Sequence, residues 1–136
     1  MMVIVCVDER SGMLFHHRRQ SQDRVVRARI LAETRFGRLW MNRYSYGQFT
    51  ASPPGHIQVA EDFLARAGVG DTCFVEDQPL QPWRNKIEGL LLYRWNRSYP
   101  SDFALDLALG RDWVLQSRED FAGYSHKIIT KEVYLP

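Results

Sequence analysis

Four apolar runs in this chain predict the strands of a sheet. The first, residues 3–7 (VIVCV), is continuous and mostly β-branched, without the polar alternation of a strand that faces water on one side. Residues 38–42, 72–75 and 90–95 carry the other runs, each centred on bulky apolar side chains. Each run therefore predicts a strand, and the first predicts a central strand covered on both faces.

A helix is predicted between the first two strands. Residues 20–36 have a plausible N-cap in Ser21 and place Val26, Ile30 and Thr34 on one face. Because an apolar stripe of this kind needs a partner, this face is expected to lie against the sheet.

The rest of the chain has clear turn signals and shorter elements. Residues 44–49 predict a short helix, and residues 50–55 predict a loop because two consecutive prolines lack amide hydrogens. Residues 57–67 return to helical spacing. Residues 113–118 and 127–135 predict a closing antiparallel pair of strands.

Strands separated by helices and followed by a hairpin indicate the α/β class. The order predicts an open, mostly parallel sheet with helices on both faces and a C-terminal antiparallel hairpin. The length suits a single domain over residues 1–136. In such sheets ligands bind beyond the carboxyl ends of the strands, so the loops at that edge are the expected site.

The net charge is only +2, but its distribution is uneven. Residues 16–43 hold eight arginines against Asp23 and Glu33, which predicts an electropositive end of the molecule. Guanidinium groups suit bidentate contacts with anions. The alternative is that these arginines form the solvated outer face of the helix.

Several function classes have no support in the sequence. No apolar run approaches the ~20 residues of a membrane span, and Asp8 and Glu9 follow the first strand too closely for a signal peptide, so a cytoplasmic protein is expected. Cys6 and Cys73 lie in apolar runs, which predicts buried thiols without a disulfide. No metal site is expected, and the H-x-H-x-D-H motif that a ribonuclease Z would need is missing.

Three motifs occur in the order and spacing of a known family. Residues 7–12 match V-D-x-x-x-G after the first strand, and residues 40–43 stand where the family has I-M-G-R. Residues 90–113 align without gaps to L-Y-L-T-x-I-D, an acidic loop and a tryptophan, with Asp102 and Trp113 in register. The chain thus resembles dihydrofolate reductase, in shortened form, over nearly its whole length.

The resemblance also implies which functional residues are missing. The reductases carry a carboxylate on the first helix that holds the pteridine and helps deliver a proton, and the alignment places Val26 there. Asp23 lies one turn earlier and is a weak candidate for that acid, since a shifted helix would put Arg27 into the core. A Gly-Gly-Gly turn that admits the cofactor pyrophosphate is replaced by residues 76–78, Glu-Asp-Gln, which would repel it.

Three hypotheses follow from these residues. The first is a noncatalytic or repurposed domain that needs no cofactor and binds a small anionic ligand or a protein partner at an Arg-rich rim, formed by Arg18, Arg19, Asn42, Arg43, Tyr44 and Ser45. The second is an NADPH-dependent reductase of altered substrate that uses Arg43 and Ser45. The third is a nucleic-acid-binding protein or nuclease whose basic and aromatic contacts come from Arg18, Arg19, Arg24, Arg27, Arg29, Tyr44 and Tyr46.

Overall fold

The computed structural model describes residues 1–50 and 54–136. The described strands are, in chain order, β1 (Met2–Val7), β2 (Gly12–Phe15), β3 (Arg18–Arg19), β4 (Leu39–Met41), β5 (Ile57–Val59), β6 (Thr72–Phe74), β7 (Gly89–Arg94), β8 (Phe103–Ala104), β9 (Val114–Phe121) and β10 (Ile129–Leu135). The helices are α1 (Arg24–Glu33), α2 (Arg43–Tyr46) and α3 (Phe63–Arg66), with single 3₁₀ turns at Gly47–Phe49 and Gln81–Trp83. None of these helices has the length and apolarity needed to cross a membrane.

The main sheet has seven strands in the order β5-β4-β6-β1-β7-β10-β9. Strand β1 is central and pairs in parallel with β6 and β7, and β4 pairs in parallel with β5 and β6. Strand β10 inserts antiparallel between β7 and β9. The predicted α/β architecture, mostly parallel with a C-terminal antiparallel hairpin, is confirmed. A second, three-stranded sheet, β3-β2-β8, lies beside it.

A hydrophobic core lies on each face of the main sheet. Alternate residues of β1 point to opposite sides: Val3 and Val5 pack with Phe63 of α3, whereas Ile4 packs with Val26 and Ile30 of α1. The continuous apolar run of β1 is explained by this burial on both faces. The prediction of helices on both faces is therefore confirmed.

Two sequence predictions about elements were wrong. Helix α1 begins after Asp23, not Ser21, because the Asp23 carboxylate accepts the Val25 amide hydrogen and caps the helix. The predicted helix over residues 57–67 is instead strand β5 followed by the single turn α3, since Ile57–Val59 hydrogen-bonds along β4. The predicted loop over residues 50–55 falls partly outside the described residues.

Both cysteines are free, as predicted. Burial raises the pKa of the Cys73 thiol to about 12, so that this thiol is protonated at neutral pH.

Candidate functional site

Apolar side chains fill the position that the resemblance assigns to the reductase acid. Val26 is 2% exposed and belongs to the same buried cluster as Ile4, Ile30, Phe49 and Trp95. The members of this cluster are apolar and aromatic side chains. The first helix therefore presents core packing, and no acid, at this position.

A cleft of about 430 Å³ opens between the small sheet and the loop that follows β6. It is lined by Leu14, His17, Asp77, Asp102 and Phe103. Two carboxylates thus face a space whose other walls are an imidazole and two apolar side chains. Asp77 Oδ1 accepts from Asn42 Nδ2 at 2.8 Å, and Asp102 Oδ2 accepts from the His16 amide at 3.1 Å, so both carboxylates are held in place.

The turn that carries His17 into the cleft has an uncommon backbone. His16 and His17 join β2 to β3 with φ values of 51° and 63°, in the left-handed region that glycine and asparagine adopt more readily. Such conformations cost free energy and collect at functional sites. The sequence contained this signal, since two histidines replace the Asn-Gly typical of a two-residue hairpin turn.

The Arg19 side chain is engaged inside the protein. Its Nε and Nη2 donate to Glu76 Oε2 and Oε1 at 2.9 and 3.2 Å, and its guanidinium lies 4.4 Å from the centre of the Tyr44 ring. The Arg19 amide also donates to the Tyr44 hydroxyl at 2.8 Å. Glu76 balances the charge of Arg19 and anchors β3 to the end of β6.

The other predicted rim residues differ in exposure. Asn42 is buried, caps α2 by accepting the Ser45 amide hydrogen at 3.0 Å, and contacts Asp77. The Ser45 hydroxyl is buried without a hydrogen-bond partner among the described residues. Arg18 and Arg43 are exposed. The structure thus brings Arg19, Asn42, Tyr44 and Ser45 together with two acidic residues, Glu76 and Asp77.

Replacing Arg19 with methionine is expected to lower the free energy of unfolding by about 2 kcal/mol. The substitution leaves the nearly buried Glu76 carboxylate without its two donors. Urea unfolding of Arg19→Met, Glu76→Gln and the double variant measures the coupling free energy between the Arg19 and Glu76 side chains. Unchanged stability in Arg19→Met would show that the guanidinium is free for a ligand.

Two of the three arginines of α1 contact the C-terminal hairpin. The Arg24 guanidinium lies 4.3 Å from the Tyr124 ring centre, and that of Arg29 lies 3.7 Å from the Phe121 ring centre and 3.1 Å from Glu119. These contacts give the two arginines a packing role on the outer face of the helix.

Asp23, the weak catalytic candidate, is a buried carboxylate at the start of α1. It accepts backbone hydrogens from Val25, Tyr124 and Ser125 at 2.8 to 3.0 Å, and His126 Nδ1 lies 2.9 Å from its Oδ2. Burial alone would raise the pKa of Asp23, but these hydrogen bonds outweigh it and hold the pKa well below the ordinary value. Asp23 is therefore ionised, and its carboxylate contacts the last hairpin through Tyr124, Ser125 and His126.

Two functional candidates were missed by sequence reasoning. His126 stacks on Trp95, with ring centres 4.7 Å apart, and its Nε2 lies 2.9 Å from Ser21 Oγ. Asp8 is buried and accepts hydrogens from the amides of Gly12, Arg10 and Tyr99 and from Gln20, which joins the first turn to the loop after β7. Asp8 had a signal in the V-D motif, whereas His126 had none because its partners are about a hundred residues away along the chain.

Comparison with solved structures supports the fold. No protein-family model matches the chain, and no curated protein shows significant sequence similarity to it. Among solved structures, the chain is similar to dihydrofolate reductase from Enterococcus faecalis complexed with NADP(H) and RAB-propyl. The two are 11% identical with a TM-score of 0.70, over 98% of this chain and 94% of that one. The predicted dihydrofolate-reductase-like fold is confirmed, and its chemistry has to be judged from this chain's own residues.

Proposed function

We propose that this chain is a small-molecule-binding domain with a dihydrofolate-reductase-like fold and without dihydrofolate reductase activity. The observation that carries the proposal is the cleft lined by Asp77 and Asp102 at the carboxyl edge of the sheet. Val26 supports the second part, because a valine cannot hold a pteridine by charge or supply a proton.

The lining of this cleft favours a ligand that carries positive charge on a flat apolar body. Asp77 and Asp102 offer carboxylate oxygens, and Leu14 and Phe103 offer apolar surface. A pyrophosphate placed here would meet two like charges. The proposed ligand is thus cationic, whereas the arginine content of the sequence predicted an anionic ligand.

Benzamidine and benzoate test the sign of charge, because they share a ring and a planar polar group but carry opposite charges. Benzamidine at millimolar concentration is expected to shift the amide resonances of His17, Asp77 and Asp102 in a saturable way, and benzoate is expected to leave them unchanged. The isosteric variants Asp77→Asn and Asp102→Asn should each weaken binding by about tenfold, equivalent to about 1.4 kcal/mol. The exposed Asp112 lines a different depression, and Asp112→Asn is the matched control.

An anionic ligand or protein partner at the rim is the alternative that Arg18, Arg43 and Ser45 favour, since the Ser45 hydroxyl has no hydrogen-bond partner within residues 1–50 and 54–136. NADPH is the probe for this alternative and for a reductase of altered substrate, because the structural neighbour is a complex with NADP(H). Saturable NADPH binding that is lost in Arg43→Ala would replace the cationic-ligand proposal with this one. Absence of NADPH binding at millimolar concentration, together with benzamidine binding, supports the proposal.

A further inference from the structure

Three side chains outside the cleft form one hydrogen-bonded line. Ser21 Oγ lies 2.9 Å from His126 Nε2, and His126 Nδ1 lies 2.9 Å from Asp23 Oδ2. The order hydroxyl, imidazole, carboxylate is that of a nucleophile, its general base and the group that orients the base. The three residues come from the segment before α1 and from the last hairpin, and neither Val26 nor the cleft takes part.

The surroundings hold the imidazole in the orientation that this chemistry needs. The Asp23 carboxylate can accept a hydrogen from Nδ1, and in that tautomer Nε2 accepts from Ser21 Oγ, its nearer neighbour at 2.9 Å. The Tyr99 hydroxyl lies 3.4 Å from Nε2, and the Ser125 hydroxyl lies 3.2 Å from Nδ1. Three backbone amides fix the carboxylate, and stacking on Trp95 fixes the plane of the ring. His126 and Asp23 are 5% and 0% exposed, whereas Ser21 is only half-buried and so can meet a substrate.

We propose that Ser21 is a nucleophile for acyl transfer from small carboxylic esters, with His126 as its general base and Asp23 as the positioning residue. As the bond from Ser21 Oγ to the carbonyl carbon forms, the hydroxyl proton moves to His126 Nε2 and the carbonyl oxygen takes the electron pair. The ester C–O bond then breaks, and the proton on Nε2 passes to the departing alkoxide. Water repeats the sequence, which releases the carboxylic acid and restores Ser21.

The charge beside these residues suits an ester that carries a carboxylate. A surface depression of about 290 Å³ is lined by the chain neighbours of Ser21 and His126, namely Gln22 and Ser125, together with Asp23, Arg24, Arg27 and Tyr124. The Arg27 guanidinium donates to Gln22 Oε1 at 3.1 Å and so is held at this edge. A monoester of a dicarboxylic acid is the substrate class that these cations favour.

An alkyl fluorophosphonate tests the nucleophile directly, because an activated serine displaces its fluoride and retains the phosphonyl group. The intact wild-type chain is expected to gain one adduct, which peptide mapping places on Ser21. Ser21→Ala should abolish the adduct, and His126→Gln should slow its formation by about 100-fold, the scale of general-base catalysis. The exposed Ser117 has no part in this network, and Ser117→Ala is the matched control.

Peptide mapping of the labelled wild-type chain tests the proposed nucleophile without any variant, so a variant that fails to fold does not affect the result. An adduct on Ser21 that native protein forms and urea-unfolded protein does not supports the proposal. No adduct at a hundredfold excess of reagent, or equal labelling of several serines, overturns it and leaves the three residues as a structural link. Hydrolysis of p-nitrophenyl succinate faster than that of p-nitrophenyl acetate, with loss of the preference in Arg27→Gln, supports the substrate class, and equal rates overturn it.

Discussion

Replacing Val26 with aspartate is expected to lower the free energy of unfolding by about 4 kcal/mol without producing dihydrofolate reductase activity. Val26 is almost fully buried in a cluster of apolar and aromatic side chains that includes Ile4, Ile30, Phe49 and Trp95, so a carboxylate at this position would be removed from water. An uncompensated charge in such surroundings costs far more than the two methyl groups that are lost. Urea unfolding measures the loss of stability, and an assay of dihydrofolate-dependent NADPH oxidation tests for reductase activity.

The pH dependence of the stability of Val26→Asp separates the cost of burying a charge from the cost of the lost packing. Burial should raise the pKa of the new carboxyl above its unfolded value of about 3.9, so the penalty is small below that pH and grows as the pH rises toward the folded value. Val26→Asn has nearly the same shape and should show no such dependence. A stable Val26→Asp variant that oxidises NADPH with dihydrofolate would contradict the prediction and show that the reductase pocket is open.

Removal of the Asp23 carboxylate in Asp23→Ala is expected to cost about 3–5 kcal/mol. The change removes the cap of α1, leaves the amide hydrogens of Tyr124 and Ser125 without their acceptor, and removes the carboxylate that lies beside His126 Nδ1. Because these contacts join the start of α1 to the last hairpin, both elements should loosen together. Hydrogen exchange of the Val25, Tyr124 and Ser125 amides, alongside urea unfolding, measures the loss.

The stability that Asp23 contributes should also depend on pH. The folded-state pKa of Asp23 lies below its unfolded value of about 3.9, so the contribution is complete above that pH and is lost as the pH falls toward the folded value. Wild type should therefore lose stability in acid more steeply than Asp23→Asn, which keeps an amide oxygen but has no charge to protonate. Parallel acid-unfolding curves for the two proteins would contradict the assignment of an ionised Asp23.

Local sequence patterns carried most of the information about the fold. The β-branched run of β1, the other buried runs and the terminal hairpin were predicted because a strand's burial is visible in its own side chains. The errors arose where local patterns compete. Residues 57–59 suit both helical spacing and an edge strand, and pairing with β4 decided for the strand. Ser21 and Asp23 are both good N-caps, and the donors from the last hairpin favoured Asp23.

The features of the candidate sites also divide into those that the sequence determined and those that only the tertiary structure decided. The sequence by itself determined that residue 26 is a valine and that residues 76 and 77 are acidic, because a residue's chemistry is known without its neighbours. Only the tertiary structure decided that Arg19 is paired with Glu76 and that His126 meets Ser21 and Asp23. Such contacts join segments far apart in the chain, and packing of whole elements, which no local pattern encodes, sets the distances between their side chains.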